Sequence, residues 1–304
     1  MTLPKGTKLW TLREALDAFC DHKVSVSYSK KTSSDQMKWY RNTLIKHLGA
    51  DTPLDKISLA DVMRLSDHFN LTKGYSASTV NYLNSFLKGS QEFANARGRM
   101  LSAAKAMGYR KVKQGRTRVM TQQEEQQCFL WLTQNNRSDI ADLVKLYLNT
   151  GLRKTEALDL KWADVDLATL RITIWETKVN KPRSVVMSDD VHAMLTRMYA
   201  TRPTAGYASS FIFGHINEKR LYRVWHEMKK AIGLTNDKQF TIHMLRHTFC
   251  TRLLGSGVDI RTVQEAMGHS SMAVTQRYSH FIPARFDAVA SALNNMNAGL
   301  GKAA

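Results

Sequence analysis

A mainly α-helical chain of two domains, the second carrying a small antiparallel β-sheet, is the fold class this sequence predicts. Three observations carry that reading. The chain has 304 residues, about two domains at roughly 150 residues each. Apolar residues recur at helical spacing through about the first 100 positions. Between Leu170 and Met187 the period becomes strand-like, and helical spacing then returns.

The first helix is expected after Thr11, a capping residue followed by Leu12, Ala15, Leu16 and Phe19 on one face. A second covers 32–48, with Met37, Tyr40, Leu44 and Leu48, and stops at Gly49. Ser58 caps a third, carrying Leu59, Val62, Met63 and Leu65. Ser78 opens a longer fourth, with Val80, Leu83, Phe86, Leu87 and Phe93. These four make a small bundle over 1–107, followed by a basic linker at 108–120 and a second domain at 121–304.

The second domain opens at Thr121, with Glu124 in capping-box spacing. Phe129, Leu130 and Leu132 follow. Ile140, Leu143, Val144, Tyr147 and Leu148 form the buried face of the next helix, ended at Gly151. Leu170–Trp175 and Arg183–Met187 read as strands joined by a short connection, with Phe211–Phe213 a candidate third strand. Helices are expected again at 218–232, 242–254, 260–267, 272–278 and 285–296.

Charge narrows the function classes. Lys and Arg number 44 against 26 Asp and Glu, for a net charge of +18. Residues 1–118 hold 21 basic and 9 acidic residues, a net of +12, and 119–304 hold a net of +6. Arg97 to Arg118 is the densest stretch and contains no acid. A charge run by itself is often only a solvated surface. Joining two basic domains, this one is expected to lie on phosphates through Arg110, Lys111, Lys113, Arg116 and Arg118. With 43% hydrophobic residues, a wholly disordered basic tail is excluded. No run approaches the roughly 18 to 20 apolar residues of a membrane span. Cys20, Cys128 and Cys250 lie far apart, which argues against a disulfide framework or zinc ribbon and fits a reducing, cytoplasmic compartment.

Several polar residues stand where a purely structural design has little use for them. Arg153 and Glu156 follow a buried helix. Lys178 lies between the two strands. His243 and Arg246 share a helix face, His269 follows a helix stop, and Tyr278 ends a short helix. Each alone has an ordinary reading as ion pair, loop charge or packing residue. Together they lie in Tyr147-Leu-Asn-Thr-Gly-Leu-Arg-Lys-Thr-Glu-Ala-Leu158, Thr177-Lys-Val-Asn-Lys-Pro-Arg-Ser-Val-Val186, His243-Met-Leu-Arg-His-Thr-Phe249, Met267-Gly-His-Ser270 and Thr275-Gln-Arg-Tyr-Ser-His280. In this order the chain resembles the tyrosine recombinase family, specifically its phage-integrase-like members, over about 120–285. The family order is Arg, Lys, His-x-x-Arg, His or Trp, then Tyr. Met267 stands where leucine is usual.

The resemblance implies site-specific DNA recombination through a 3′-phosphotyrosine, by a two-domain C-shaped clamp. Arg153 and Arg246 would grip the phosphate oxygens with fork geometry. Tyr278 would attack. A phenol of pKa near 10 needs a base, for which His243 is the better candidate, while His269 donates to the phosphate. Lys178 would protonate the leaving 5′-oxygen, with Lys181 and Arg183 as alternatives. Glu156 would support Arg153. Ester is exchanged for ester, so no cofactor, ATP or metal is expected. His247, four residues after His243, has zinc-binding spacing, but Met244 replaces the glutamate of that motif. His280 reads as a surface residue, and Tyr222 lacks the histidine context.

The implied partners are double-stranded DNA and three further copies of the chain. These would form a homotetramer on paired sites, with an accessory bending or directionality protein left open. Phe286, Val289, Leu293 and Met296 form one apolar stripe, for which packing on its own domain is the default, while in this family such a segment commonly docks on a neighbouring protomer. Lys219, Arg220, Arg223, Lys229 and Lys230 are candidate backbone contacts. The helical domain is expected to start by about Leu9, so a preceding arm-binding domain is not expected. The expected setting is a bacterial cell, at the nucleoid. Two other readings stand beside this one: a non-catalytic DNA-binding regulator of the same fold, and a monomeric DNA-relaxing enzyme with type IB topoisomerase-like chemistry.

Overall fold

Thr11 and Glu14 start the first helix reciprocally. Thr11 Oγ1 accepts from Glu14 N at 3.3 Å, and Glu14 Oε2 accepts from Thr11 N at 2.9 Å. In this computed structural model the described residues are 8–26, 31–100, 109–112, 117–175, 182–201, 210–269 and 271–278, with side chains at 31–33 excepted. The chain divides into two compact units, Met1–Gly115 and Arg116–Ala304.

The first unit holds α1 (Leu12–Val26), α2 (Lys31–Leu48), α3 (Leu59–Asp67) and α4 (Ala77–Asn95). Ser58 and Asp61 close a capping box on α3, which runs into a π-helical turn at His68–Thr72. Ser76, not Ser78, caps α4, its hydroxyl accepting from Thr79 N at 3.2 Å. Ser78 falls inside the first turn instead. Leu12, Leu16, Leu44, Leu83 and Leu87 are buried together, each contributing about 1.5–3 kcal/mol.

Arg110, expected in an exposed linker, is docked on this unit. Asn81 accepts from its backbone N at 2.9 Å and donates to its carbonyl at 2.8 Å. Its guanidinium donates to Asn70 Oδ1 at 3.2 Å and pairs with Asp67.

The second unit holds α5 (Gln122–Gln134), α6 (Ser138–Thr150), α7 (Lys154–Leu158), β1 (Val165–Asp166), β2 (Arg171–Ile174), β3 (Arg183–Val186), α8 (Asp189–Ala200), α9 (Glu218–Ala231), α10 (Ile242–Gly255), α11 (Ile260–Met267) and α12 (Met272–Gln276). The sheet order is β1-β2-β3, antiparallel throughout, with buried Ile172 opposite buried Val185. Its third strand is β1. Phe211 makes only an isolated bridge to Lys161. Helix α8 has no counterpart in the sequence reading, although Ser188 caps it and Val191, Met194 and Leu195 form its buried face.

Helix α6 packs on α10 in the core of this unit. The expected 285–296 helix lies outside the described residues. No described helix is long and apolar enough to cross a membrane.

Candidate active site

Two helices end in left-handed residues that face the same pair of arginines. Gly151 (φ 61°) ends α6 and Gly268 (φ 60°) ends α11. The last carbonyls of a helix lack intrahelical partners and carry its negative dipole end. Arg246, 4% exposed, uses them: Nη1 donates to Gly151 O and Nη2 to Met267 O. Arg153, just before α7, donates from Nη2 to Gly268 O at 2.7 Å. Both forks are thus oriented by backbone. Gly151 tolerates no side chain, since a Cβ there would lie 2.3 Å from Phe249 Cδ1.

Glu156 ties these cations to the sheet. Its carboxylate accepts from Arg153 Nη1 at 2.7 Å and from Arg153 N at 2.8 Å. It also accepts from Arg183, at the start of β3, at 2.6 and 3.0 Å. Burial pushes the Glu156 carboxyl up, but Arg183 and the Arg153 N–H overcome this and hold it down at about 2. Two guanidiniums, those of Arg153 and Arg183, therefore share one carboxylate. Burial and the charge of Arg153 lower Arg246 to about 10. Such an excess of fixed positive charge suits an anionic group.

Three imidazoles and a phenol complete the cluster. His243 is exposed at the start of α10. One turn on, the half-buried His247 ring stands edge-on to it, with centroids 4.6 Å apart. His247 Nδ1 is hydrogen-bonded to the Tyr278 hydroxyl. His269 Nδ1 meets Thr275 Oγ1 at 2.9 Å. Burial and the neighbouring cations lower all three histidines, His247 to about 4 and His269 to about 3, so each is neutral at pH 7. Tyr278 is 3% exposed, and burial raises its phenol to about 12.

The structure brings together Arg153, Glu156, His243, Arg246, His269 and Tyr278. Lys178 and Lys181 lie outside the described residues, as do Lys113, Arg116 and His280. Arg183, an alternative acid in the sequence reading, is engaged by Glu156. His247 carries the contact to the phenol; the sequence signal for it is the four-residue spacing from His243. Arg118 is bound within the second unit, pairing with Glu124 and with Asp237 at 3.0 Å. Lys111 is exposed. On α9, Arg220 pairs with Asp139 and Lys229 donates to Asp237 O, whereas Lys219, Arg223 and Lys230 are exposed.

Residues 118–285 match the phage integrase family. A tyrosine recombinase XerD from Staphylococcus epidermidis is 36% identical over 155 residues, covering 49% of this chain and 52% of the relative. The chain thus spans about half the length of the first curated relatives it matches. A tyrosine recombinase XerC from Corynebacterium glutamicum is 25% identical over 281 residues, covering 90% of this chain and 88% of the relative. Among solved structures, the Tn1549 transposon integrase in complex with circular intermediate DNA shares the fold, with a TM-score of 0.73, 21% identity and coverage of 93% and 99%. A lambda integrase dimer bound to a COC′ core site does so with a TM-score of 0.65, 17% identity and coverage of 90% and 78%. The matched segment contains the paired arginines, the histidines and Tyr278, and this chain belongs to the phage integrase family.

Proposed function

We propose that this chain is a site-specific recombinase. It cuts and rejoins double-stranded DNA through a 3′-phosphotyrosine, in the integration and excision of a phage or other mobile element. The observation that carries the reading is the Tyr278 hydroxyl, hydrogen-bonded within a cluster of cations that Arg246 and Arg153 dominate. Arg153 and Arg246 bind the non-bridging oxygens of the scissile phosphate and stabilise the charge of the pentavalent transition state. Their forks are already held by Glu156 and by the carbonyls of Gly151, Met267 and Gly268, so little reorganisation remains at the moment of reaction. His269, its Nδ1 engaged with Thr275, donates from the other ring nitrogen to the phosphate. His243, exposed at the head of α10, is the neighbouring donor. Lys178 protonates the leaving 5′-oxygen. The phosphotyrosine conserves the bond energy of the ester, so rejoining needs no ATP.

The proposed assembly is a tetramer on paired sites, with the 285–296 segment exchanged between protomers and an accessory bending or directionality protein in attendance. Structures of the same fold solved with circular intermediate DNA and with a core site support DNA as the partner. Lys111, Lys113 and Arg116 of the basic linker segment supply phosphate contacts, whereas the charges of Arg110 and Arg118 are already matched by carboxylates.

A nicked suicide duplex tests this reading. Wild type yields a covalent protein–DNA adduct in EDTA without ATP, and Tyr278→Phe yields none. An adduct in the Phe variant removes Tyr278 as nucleophile. Recombination between sites on two separate plasmids separates integration from a pure resolution function, which acts on repeated sites in one molecule.

A further inference from the structure

Two histidines one turn apart on α10 have different surroundings. His243 is exposed. His247 is half-buried, and its Nδ1 makes the hydrogen bond to Tyr278 Oη, with ring centroids 5.6 Å apart. The Tyr278 ring lies in an apolar cluster of Cys250, Leu254, Val263 and Met267. The third imidazole, His269, has its Nδ1 on Thr275. We propose that His247 is the catalytic proton acceptor for Tyr278, and that His243 serves the phosphate. This rests on the reading of Tyr278 as nucleophile.

The step balances as follows. In the resting pair the His247 proton sits on Nε2, and the phenol donates to the Nδ1 lone pair. On attack the Tyr278 oxygen bonds to phosphorus, and its O–H bond breaks. The proton passes to Nδ1, giving an imidazolium. The bond from phosphorus to the 5′-oxygen breaks, and that oxygen takes a proton from the general acid, Lys178 in the reading above. Rejoining runs the same transfers backwards, with His247 returning its proton to the phenol.

The surroundings explain why the base waits for its substrate. Burial holds His247 low, and so do the charges of Arg246 on α10 and of Arg277 beyond α12, with His243 adding to them only when it is itself protonated. The phenol is held high by burial and by Cys250. Without DNA, both partners therefore remain neutral. A phosphodiester entering between Arg153 and Arg246 sets a negative charge against the cations that disfavour an imidazolium. Substrate binding thus makes proton transfer easier at the moment it is needed.

The test uses the full chain and a nicked suicide duplex built from the site that wild type selects out of a randomised library. Glutamine can still position the hydroxyl but cannot take its proton. His247→Gln and His247→Ala are expected to bind the duplex like wild type and to form adduct about 100-fold more slowly or worse. The acid limb of the pH–rate profile should vanish in both, and should survive in His243→Ala. Wild-type rate and profile in His247→Gln overturn the proposal, as does loss of the acid limb in His243→Ala. A second measurement needs no variant. Nitrogen NMR of wild type should show His247 unprotonated at Nδ1 between about pH 5 and 9, because that nitrogen must accept from the phenol; a proton there overturns the proposal even if the variants misfold. Adduct formation by Tyr278→Phe is a separate result, which removes the nucleophile reading itself.

Discussion

Glu156 and Arg183, 27 residues apart in sequence, form a two-point ion pair at 2.6 and 3.0 Å, with side chains 6% and 9% exposed. The same carboxylate holds Arg153. The start of β3 is therefore tied to Arg153 through one residue.

Removing that tie should unfold the site before it slows the chemistry. Glu156 is held at about 2 against an ordinary 4.5, so the fold favours its ionised form. That stability is fully present above about pH 4.5 and is lost as pH falls towards 2. Glu156→Gln should cost about 3 kcal/mol at pH 7. Chemical denaturation at pH 7 and at pH 3 measures the gap between variant and wild type, which should narrow in acid. A gap independent of pH would remove the ion pair as its cause.

Gly151→Ala should lower the melting temperature of the catalytic unit by several degrees. The residue is left-handed at φ 61°, and the new Cβ would meet Phe249 at 2.3 Å and Met267 Sδ at 2.9 Å. Conformational strain and overpacking together cost about 2–4 kcal/mol. Its carbonyl also orients Arg246, so adduct formation should fall in the folded fraction as well.

Lys178→Ala should slow cleavage of an ordinary duplex strongly, by roughly 100-fold or more. A duplex with sulfur in place of the leaving 5′-oxygen needs no acid, and should restore the rate. Failure of that rescue moves the acid role to another group, with Lys181 the next residue to replace.

The salt dependence of DNA binding should separate the linker cations. Each phosphate contact adds about 0.9 to the log–log slope. Lys111→Ala, Lys113→Ala and Arg116→Ala should each flatten it by about that amount. Arg118→Ala should leave the slope nearly unchanged and lower thermal stability instead, because Arg118 already pairs with Glu124 and Asp237. A full unit lost in the Arg118 variant would show that DNA displaces those carboxylates.

The sequence by itself determined the helical periodicity, most of the caps and the order of the site residues. Each of these is a local pattern: a cap such as Thr121 with Glu124 involves residues three apart, and a family motif needs only its own short segment. The tertiary structure decided the partners. It chose Ser76 over Ser78, paired β1 with β2, turned Arg118 towards Asp237 across 119 positions, and brought His247 rather than His243 to Tyr278 across 31. Residues i and i+4 on a helix look equivalent in a sequence. They differ once α10 is packed, because the rotation of the helix on α6 and α11 sets which imidazole is exposed to solvent and which meets the buried phenol.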